Sequence, residues 1–263
     1  MSRISETFAR LKRENKKGFI PFITAGDPDL ETTRDLMIEL ARTGASVIEL
    51  GVPFTDPMAD GPVIQRASER ALRHGFGLLE ILDLVRDVRK QTDVPIVLFS
   101  YFNPLLQFGL EKLVREAEHA EVDGILVTDL TPEESGRFSA LLRAHEIDLI
   151  FLVAPTSTDA RLQMIAERAS GFIYAVSRAG VTGARDDISA EAERLVNRVH
   201  LVSNLPVAVG FGISKPEQVQ DVWRYADAAV VGSAIVKMIE DHADNPNLVG
   251  EIGRFASSLL ARK

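Results

Sequence analysis

The sequence predicts an α/β fold, a single (β/α)8 TIM barrel with an extra N-terminal helix, forming one domain over residues 1–263. Three observations carry that expectation. Eight short apolar runs alternate with amphipathic segments from end to end, the repeat of such a barrel. The chain has 263 residues, about the usual size of one barrel. Its last two apolar runs, Val207-Ala-Val-Gly-Phe-Gly-Ile-Ser214 and Ala229-Val-Val-Gly-Ser-Ala-Ile-Val236, each lead through glycine into a helix. Glycine lets backbone approach a ligand closely, and a helix N-terminus offers unpaired N–H groups and a positive dipole end. Two such turns side by side make a phosphate cradle, which in barrels lies after strands 7 and 8.

The strands are expected to begin near Phe19, Val47, Ile96, Gly124, Leu149, Phe172, Pro206 and Ala228. Ile96-Val-Leu-Phe99 and Leu149-Ile-Phe-Leu-Val153 are continuous apolar runs, as burial on both faces requires. The segments between them show the helical period. Over 111–120, Leu113, Val114 and Ala117 share one face, with Glu116 and Glu118 on the other. Thr131-Pro-Glu-Glu134 reads as a helix start with Thr131 as cap, and Ser214-Lys-Pro-Glu217 repeats that logic. Asp27-Pro-Asp29 reads as a turn into a helix. Before the first strand, Ile4, Phe8 and Leu11 fall on one helical face, expected to plug the N-terminal end of the barrel. A doubly wound sheet would need a dinucleotide fingerprint after the first strand, and Ala25-Gly-Asp-Pro28 is not one.

A hydrophobic fraction of 46% is enough for a sizeable core. A net charge of −8 argues against a nucleic-acid or anionic-membrane surface, so an anionic substrate must be met by local backbone dipoles. With no cysteine, disulfides and thiolate metal sites are excluded. No apolar run reaches a membrane span of roughly 20 residues, and Met1-Ser-Arg-Ile-Ser-Glu6 is too polar for a signal peptide. Cytoplasmic residence is the expectation. His74, His119, His145, His200 and His242 show no metal-ligand spacing and suit surface or helix-end roles; no metal site is expected.

Val47-Ile-Glu-Leu-Gly51 puts a glutamate in a strand expected to be buried on both faces. Val47, Glu49 and Gly51 share one side, Ile48 and Leu50 the other. Facing a helix, Glu49 would need an arginine partner. Facing the barrel mouth, it would have a raised pKa suited to proton transfer. The loop that follows, Gly51-Val-Pro-Phe-Thr-Asp-Pro-Met-Ala-Asp-Gly-Pro62, carries Asp56 and Asp60. Aspartate before Pro or Gly is commonly a turn former, but Asp60 shares a βα loop with Glu49. Ser177-Arg-Ala-Gly-Val-Thr-Gly-Ala-Arg-Asp-Asp187 suits a lid or an ordinary connection, and Tyr174 suits either a hydroxyl in the mouth or a core aromatic. Lys237 follows the last cradle on a helix, unsuited to a Schiff base, and there is no Gly-x-Ser-x-Gly elbow.

Five segments together resemble the tryptophan synthase alpha subunit family over essentially the whole chain. They are Pro21-Phe-Ile-Thr-Ala-Gly-Asp-Pro28, Ile48-Glu-Leu-Gly-Val-Pro-Phe-Thr-Asp-Pro-Met-Ala-Asp-Gly-Pro62, Ser177-Arg-Ala-Gly-Val-Thr-Gly183, Gly210-Phe-Gly-Ile-Ser214 and Gly232-Ser-Ala-Ile-Val236. The second is the most specific; Thr55 stands where the family often has Ser, which keeps a hydroxyl. The resemblance implies a lyase of tryptophan biosynthesis that splits indole-3-glycerol phosphate into indole and glyceraldehyde 3-phosphate. It assigns acid–base transfer to Glu49, stabilisation of charge at the indole nitrogen to Asp60, and a hydroxyl near the reacting carbon to Tyr174. It lines an indole slot with Phe22, Phe99, Leu126, Leu152 and Phe211, and holds the phosphate on N–H groups of Gly183, Gly212, Gly232 and Ser233. Thr182 would reach Asp60 from the lid. It further implies an α2β2 complex in which a beta subunit carries pyridoxal phosphate, none being bound by this chain, with Thr55–Met58 in the docking surface. A stand-alone lyase, a barrel acting on a related sugar phosphate, and a non-catalytic activating subunit are the alternatives.

Overall fold

The computed structural model describes residues 2–176, 185–210 and 212–260, with the backbone alone for 185–189. Eight parallel strands close into a barrel in sequence order, the last pairing with the first. They are β1 (Gly18–Thr24), β2 (Ile48–Gly51), β3 (Ile96–Ser100), β4 (Gly124–Val127), β5 (Asp148–Val153), β6 (Ile173–Val176), β7 (Val207–Gly210) and β8 (Ala228–Val231). Each begins within a residue of its expected start. Burial of both strand faces, inward against the barrel interior and outward against helices, makes such runs conspicuous in the sequence.

Twelve helices accompany them among the described residues: α1 (Arg3–Arg13), α2 (Leu30–Thr43), α3 (Pro62–Leu72), α4 (Leu78–Arg89), α5 (Phe102–Phe108), α6 (Leu110–His119), α7 (Gly136–Ala144), α8 (Asp159–Arg168), α9 (Arg185–His200), α10 (Pro216–Val222), α11 (Ser233–Asp241) and α12 (Leu248–Leu260). The core divides by strand face. Ile48 and Leu50 join the cluster between sheet and helices. Val47 joins an inner cluster with Ile20, Val97, Leu126, Ile150 and Phe172, onto which Ile4, Phe8 and Leu11 of α1 pack. The expected plug is therefore present, with the Phe8 and Phe172 rings 5.8 Å apart.

Two helix starts differ from expectation. Residues 131–134 form a turn, and α7 begins at Gly136. The Thr131 hydroxyl donates to the Glu134 carboxylate instead of accepting from backbone, so the cap is spent on a side chain. At α10 the cap is Lys215 rather than Ser214, and the Gln218 side chain accepts from the N–H groups of both. The turn before α2 is as expected: Asp29 caps it, its carboxylate accepting from Thr32 N at 2.7 Å.

Candidate active site

The C-terminal rim of the barrel is built by register. Phe22 of β1 pairs with Glu49 of β2, Phe99 of β3 with Leu126 of β4, and Leu152 of β5 with Tyr174 of β6. Leu126 belongs to the inner cluster, and Phe99, Leu152 and Tyr174 pack against it from above. The Phe22 and Phe99 rings meet edge to face with centroids 5.3 Å apart. Two glycines make room for this layer. A Cβ at Gly51 would lie 2.6 Å from the Phe22 ring, and one at Gly210 would lie 2.2 Å from the Tyr174 hydroxyl.

Glu49 lies in this apolar layer, 1% exposed. Neither carboxylate oxygen has a hydrogen-bond partner among the described residues. An ionised carboxylate in such surroundings is strongly disfavoured, and burial pushes the Glu49 carboxyl well above the usual range. The structural alternative, an arginine partner, is absent among the described residues. Tyr174 is also pushed well above the ordinary tyrosine value, by burial and then by the Glu49 charge. The two groups are thus within electrostatic reach of each other, one able to give a proton and the other held as a neutral hydroxyl.

Asp60 lies at the end of the β2–α3 loop, half-buried. Burial raises its pKa from the ordinary 3.8 to about 6, and a hydrogen bond with Tyr101 partly opposes the rise. Asp60 therefore interacts with Tyr101 rather than with Glu49. Tyr101 is pushed up to about 12 by burial and by the Asp60 charge. Its oxygen also accepts from Ala59 N at 2.9 Å, and its ring lies 5.2 Å from that of Phe54. Gln65 of α3 donates to the Asp60 carbonyl at 2.9 Å, closing the loop from its other end. Sequence reasoning missed Tyr101; its place one residue beyond β3, at the active rim, was the available signal.

On the other flank of β1 from Glu49, at the end of β8, Gly232 caps α11 and Ser233 opens it. The first N–H groups of a helix have no intrahelical acceptor and point outward along its axis. Gly212 after β7 has φ +50°, a left-handed conformation that favours glycine. A Cβ at Gly232 would lie 3.5 Å from Phe22, so this turn adjoins the apolar slot. Thr182, Gly183 and Phe211, with the segment 177–184, lie outside the described residues.

The remaining candidates fall away from the rim. His119 is in the last turn of α6, while His145 and His242 cap α7 and α11. Lys237 pairs with Glu240 at 3.4 Å and with Asp241. Among the described residues, no three His, Asp or Glu side chains are grouped as metal ligands, and no helix is long and apolar enough to cross a membrane.

The profile of the tryptophan synthase alpha chain family matches residues 8–255. The chain belongs to that family. It is 48% identical over 259 residues to the tryptophan synthase alpha chain of Solibacter usitatus, covering 98% of this chain and 97% of that one. Among solved structures, tryptophan synthase subunit alpha of Legionella pneumophila superposes with a TM-score of 0.91 at 39% identity, covering 98% of this chain and 97% of that one. A chain of the tryptophan synthase a2b2 complex of Pyrococcus furiosus, described for its mutual activation, gives 0.86 at 40% identity, covering 92% and 97%.

Proposed function

We propose that this chain, as one barrel domain over 1–263, cleaves indole-3-glycerol phosphate to indole and glyceraldehyde 3-phosphate in tryptophan biosynthesis, and that Glu49 moves the protons. The observation that carries the assignment is the buried Glu49 carboxyl at the active rim, unpartnered among the described residues. Neutral in the resting site, it donates a proton to indole C3. The ring nitrogen then takes up positive charge, and the Asp60 carboxylate accepts its N–H and stabilises that charge. The glycerol hydroxyl next to the indole gives up its proton as the C–C bond breaks, and the electron pair of that bond restores the aromatic indole. Glu49, ionised by the first transfer, takes the hydroxyl proton and ends the cycle neutral. Tyr174 stands by the same carbon as a hydrogen-bonding hydroxyl.

Phe22, Phe99, Leu126 and Leu152 form the slot for the indole ring, completed by Phe211. Backbone N–H groups of Gly212, Gly232 and Ser233, with Gly183, hold the phosphate, and Thr182 meets Asp60 when substrate is bound. The chain works in the cytoplasm with a beta subunit in an α2β2 complex, and pyridoxal phosphate belongs to that partner. The Thr55–Met58 loop is the docking element. Met58 is 92% exposed, the most exposed large apolar side chain among the described residues, and the loop lies between Glu49 and Asp60 in the chain. Contact there acts directly on the catalytic carboxylates, a route to activation.

Indole release from indole-3-glycerol phosphate by the purified chain, with and without the beta subunit, tests the proposal. Release that rises with the partner is the expected result. Fast release by the chain alone would favour a stand-alone lyase, and no release under either condition a non-catalytic activating subunit.

A further inference from the structure

The two halves of the site sit on different helices. Asp60 lies two residues before α3, and the Gly232–Ser233 turn opens α11. These helices are joined to each other by two parallel stripes. Ala67 of α3 and Val236 of α11 pack with Phe22 of β1, and Val63 and Ile64 rest on that cluster. On either side of Ala67 in α3 and one turn beyond Val236 in α11, the contact becomes ionic. Arg70 donates from Nη1 to Glu240 of α11 at 2.8 Å, and Arg66 holds the same carboxylate with two bonds of 2.7 and 2.8 Å. The other edge of the Arg70 guanidinium grips Asp27, in the turn between β1 and α2, through two bonds of 2.8 Å. The Asp27 side chain is 1% exposed, Arg70 22% and Glu240 18%.

The hydrophobic term alone leaves the relative placement of two helices loosely directed, because it is non-directional. A guanidinium that satisfies two carboxylates at once does not, because its donors have fixed directions. We propose that Arg70 is a positioning residue which, with Glu240 as counterpart, fixes the span between the Asp60 end of the site and the phosphate cradle. This rests on the reading that one substrate bridges both ends. A molecule held at its ring and at its phosphate reacts efficiently only when the two anchors are correctly spaced. Misplacement by about 1 Å can cost about a hundredfold in rate.

The test separates the span from each anchor. Glu240→Gln keeps the side-chain shape, and Arg70→Lys keeps a cation for Asp27 but cannot grip both carboxylates. Full-length variants are assayed well below their melting temperatures. The readouts are kcat and KM for indole-3-glycerol phosphate, and inhibition constants for indole and for glycerol 3-phosphate, each alone. The expected result is a loss in kcat/KM of about tenfold to a hundredfold, with both fragment constants nearly unchanged. A lowered melting temperature with unchanged kcat/KM would reduce the network to a structural role and overturn the inference. Equal losses for intact substrate and glycerol 3-phosphate would place the damage in the cradle itself and also overturn it. No turnover by the parent chain would overturn the functional reading first, and this inference with it.

Discussion

Glu49 is costly to the fold in a way that can be measured. Burial holds its carboxyl neutral well above the usual range, so the folded chain keeps a proton that the unfolded chain releases. As pH rises from the unfolded value toward the folded one, the unfolded state binds fewer protons, and stability falls. Glu49→Gln removes this titration. Its melting temperature should match the parent below about pH 4 and exceed it at neutral and alkaline pH, while indole release is abolished. Equal melting temperatures across the range would mean that Glu49 is not held neutral. In the proposed mechanism Asp60 sets the acid limb of the activity, because only its ionised form would stabilise charge on indole. The rate should climb as pH passes about 6. Asp60→Asn should lower kcat by roughly a hundredfold to a thousandfold and flatten that limb. Tyr101→Phe removes the hydrogen bond that partly lowers the Asp60 pKa, so the limb should move to higher pH.

Among the elements, the strands were readable because two-sided burial leaves a continuous apolar run with a sharp edge. The sequence placed Glu49 on one face of β2 but left open whether that face met a helix or the mouth; its lack of a partner among the described residues decides for the mouth. What escaped detection depends on partners distant in sequence. Asp27 reads as part of a turn, and only the fold brings Arg70, 43 residues away, against it. Tyr101 and Asp60 lie on successive βα loops, and nothing local marks them as a pair. Thr131 has the composition of a helix cap, but its hydroxyl is taken by Glu134, a competition that propensity alone does not resolve. The glycines at the ends of β7 and β8 were readable, and the cradle proposed there makes its own prediction. Gly212 has φ +50° and, in the proposed cradle, would admit a phosphate close to its backbone. Gly212→Val, β-branched and disfavoured in that conformation, should raise KM for indole-3-glycerol phosphate much more than it lowers kcat. Steady-state kinetics that show an unchanged KM would move the phosphate elsewhere.

The whole molecule separates its two tasks by end. The C-terminal rim carries a carboxyl without a partner among the described residues, a half-buried aspartate and an exposed Met58, all of which oppose compactness. The opposite end is built for stability. There α1 drives Ile4 and Phe8 into the barrel, and Arg3 pairs with Asp123 and Glu121, with Asp123 also held by Arg89. A cleft of about 730 Å3 beside α1, bordered by Thr7, Arg10, Ser46 and Pro95, lies at this end and not at the rim. The barrel interior between the ends is filled by Ile20, Val97, Ile150 and Phe172, so a loss at the plug should not be felt at the rim. Phe8→Ala tests this. Phe8 is 6% exposed and packs on Phe172, so its truncation should cost about 3–5 kcal/mol in chemical denaturation. At temperatures where the variant stays folded, kcat and KM for indole-3-glycerol phosphate should stay close to the parent values. A matching loss of activity would mean that the packed interior transmits strain from plug to rim, and that the two ends are one mechanical unit.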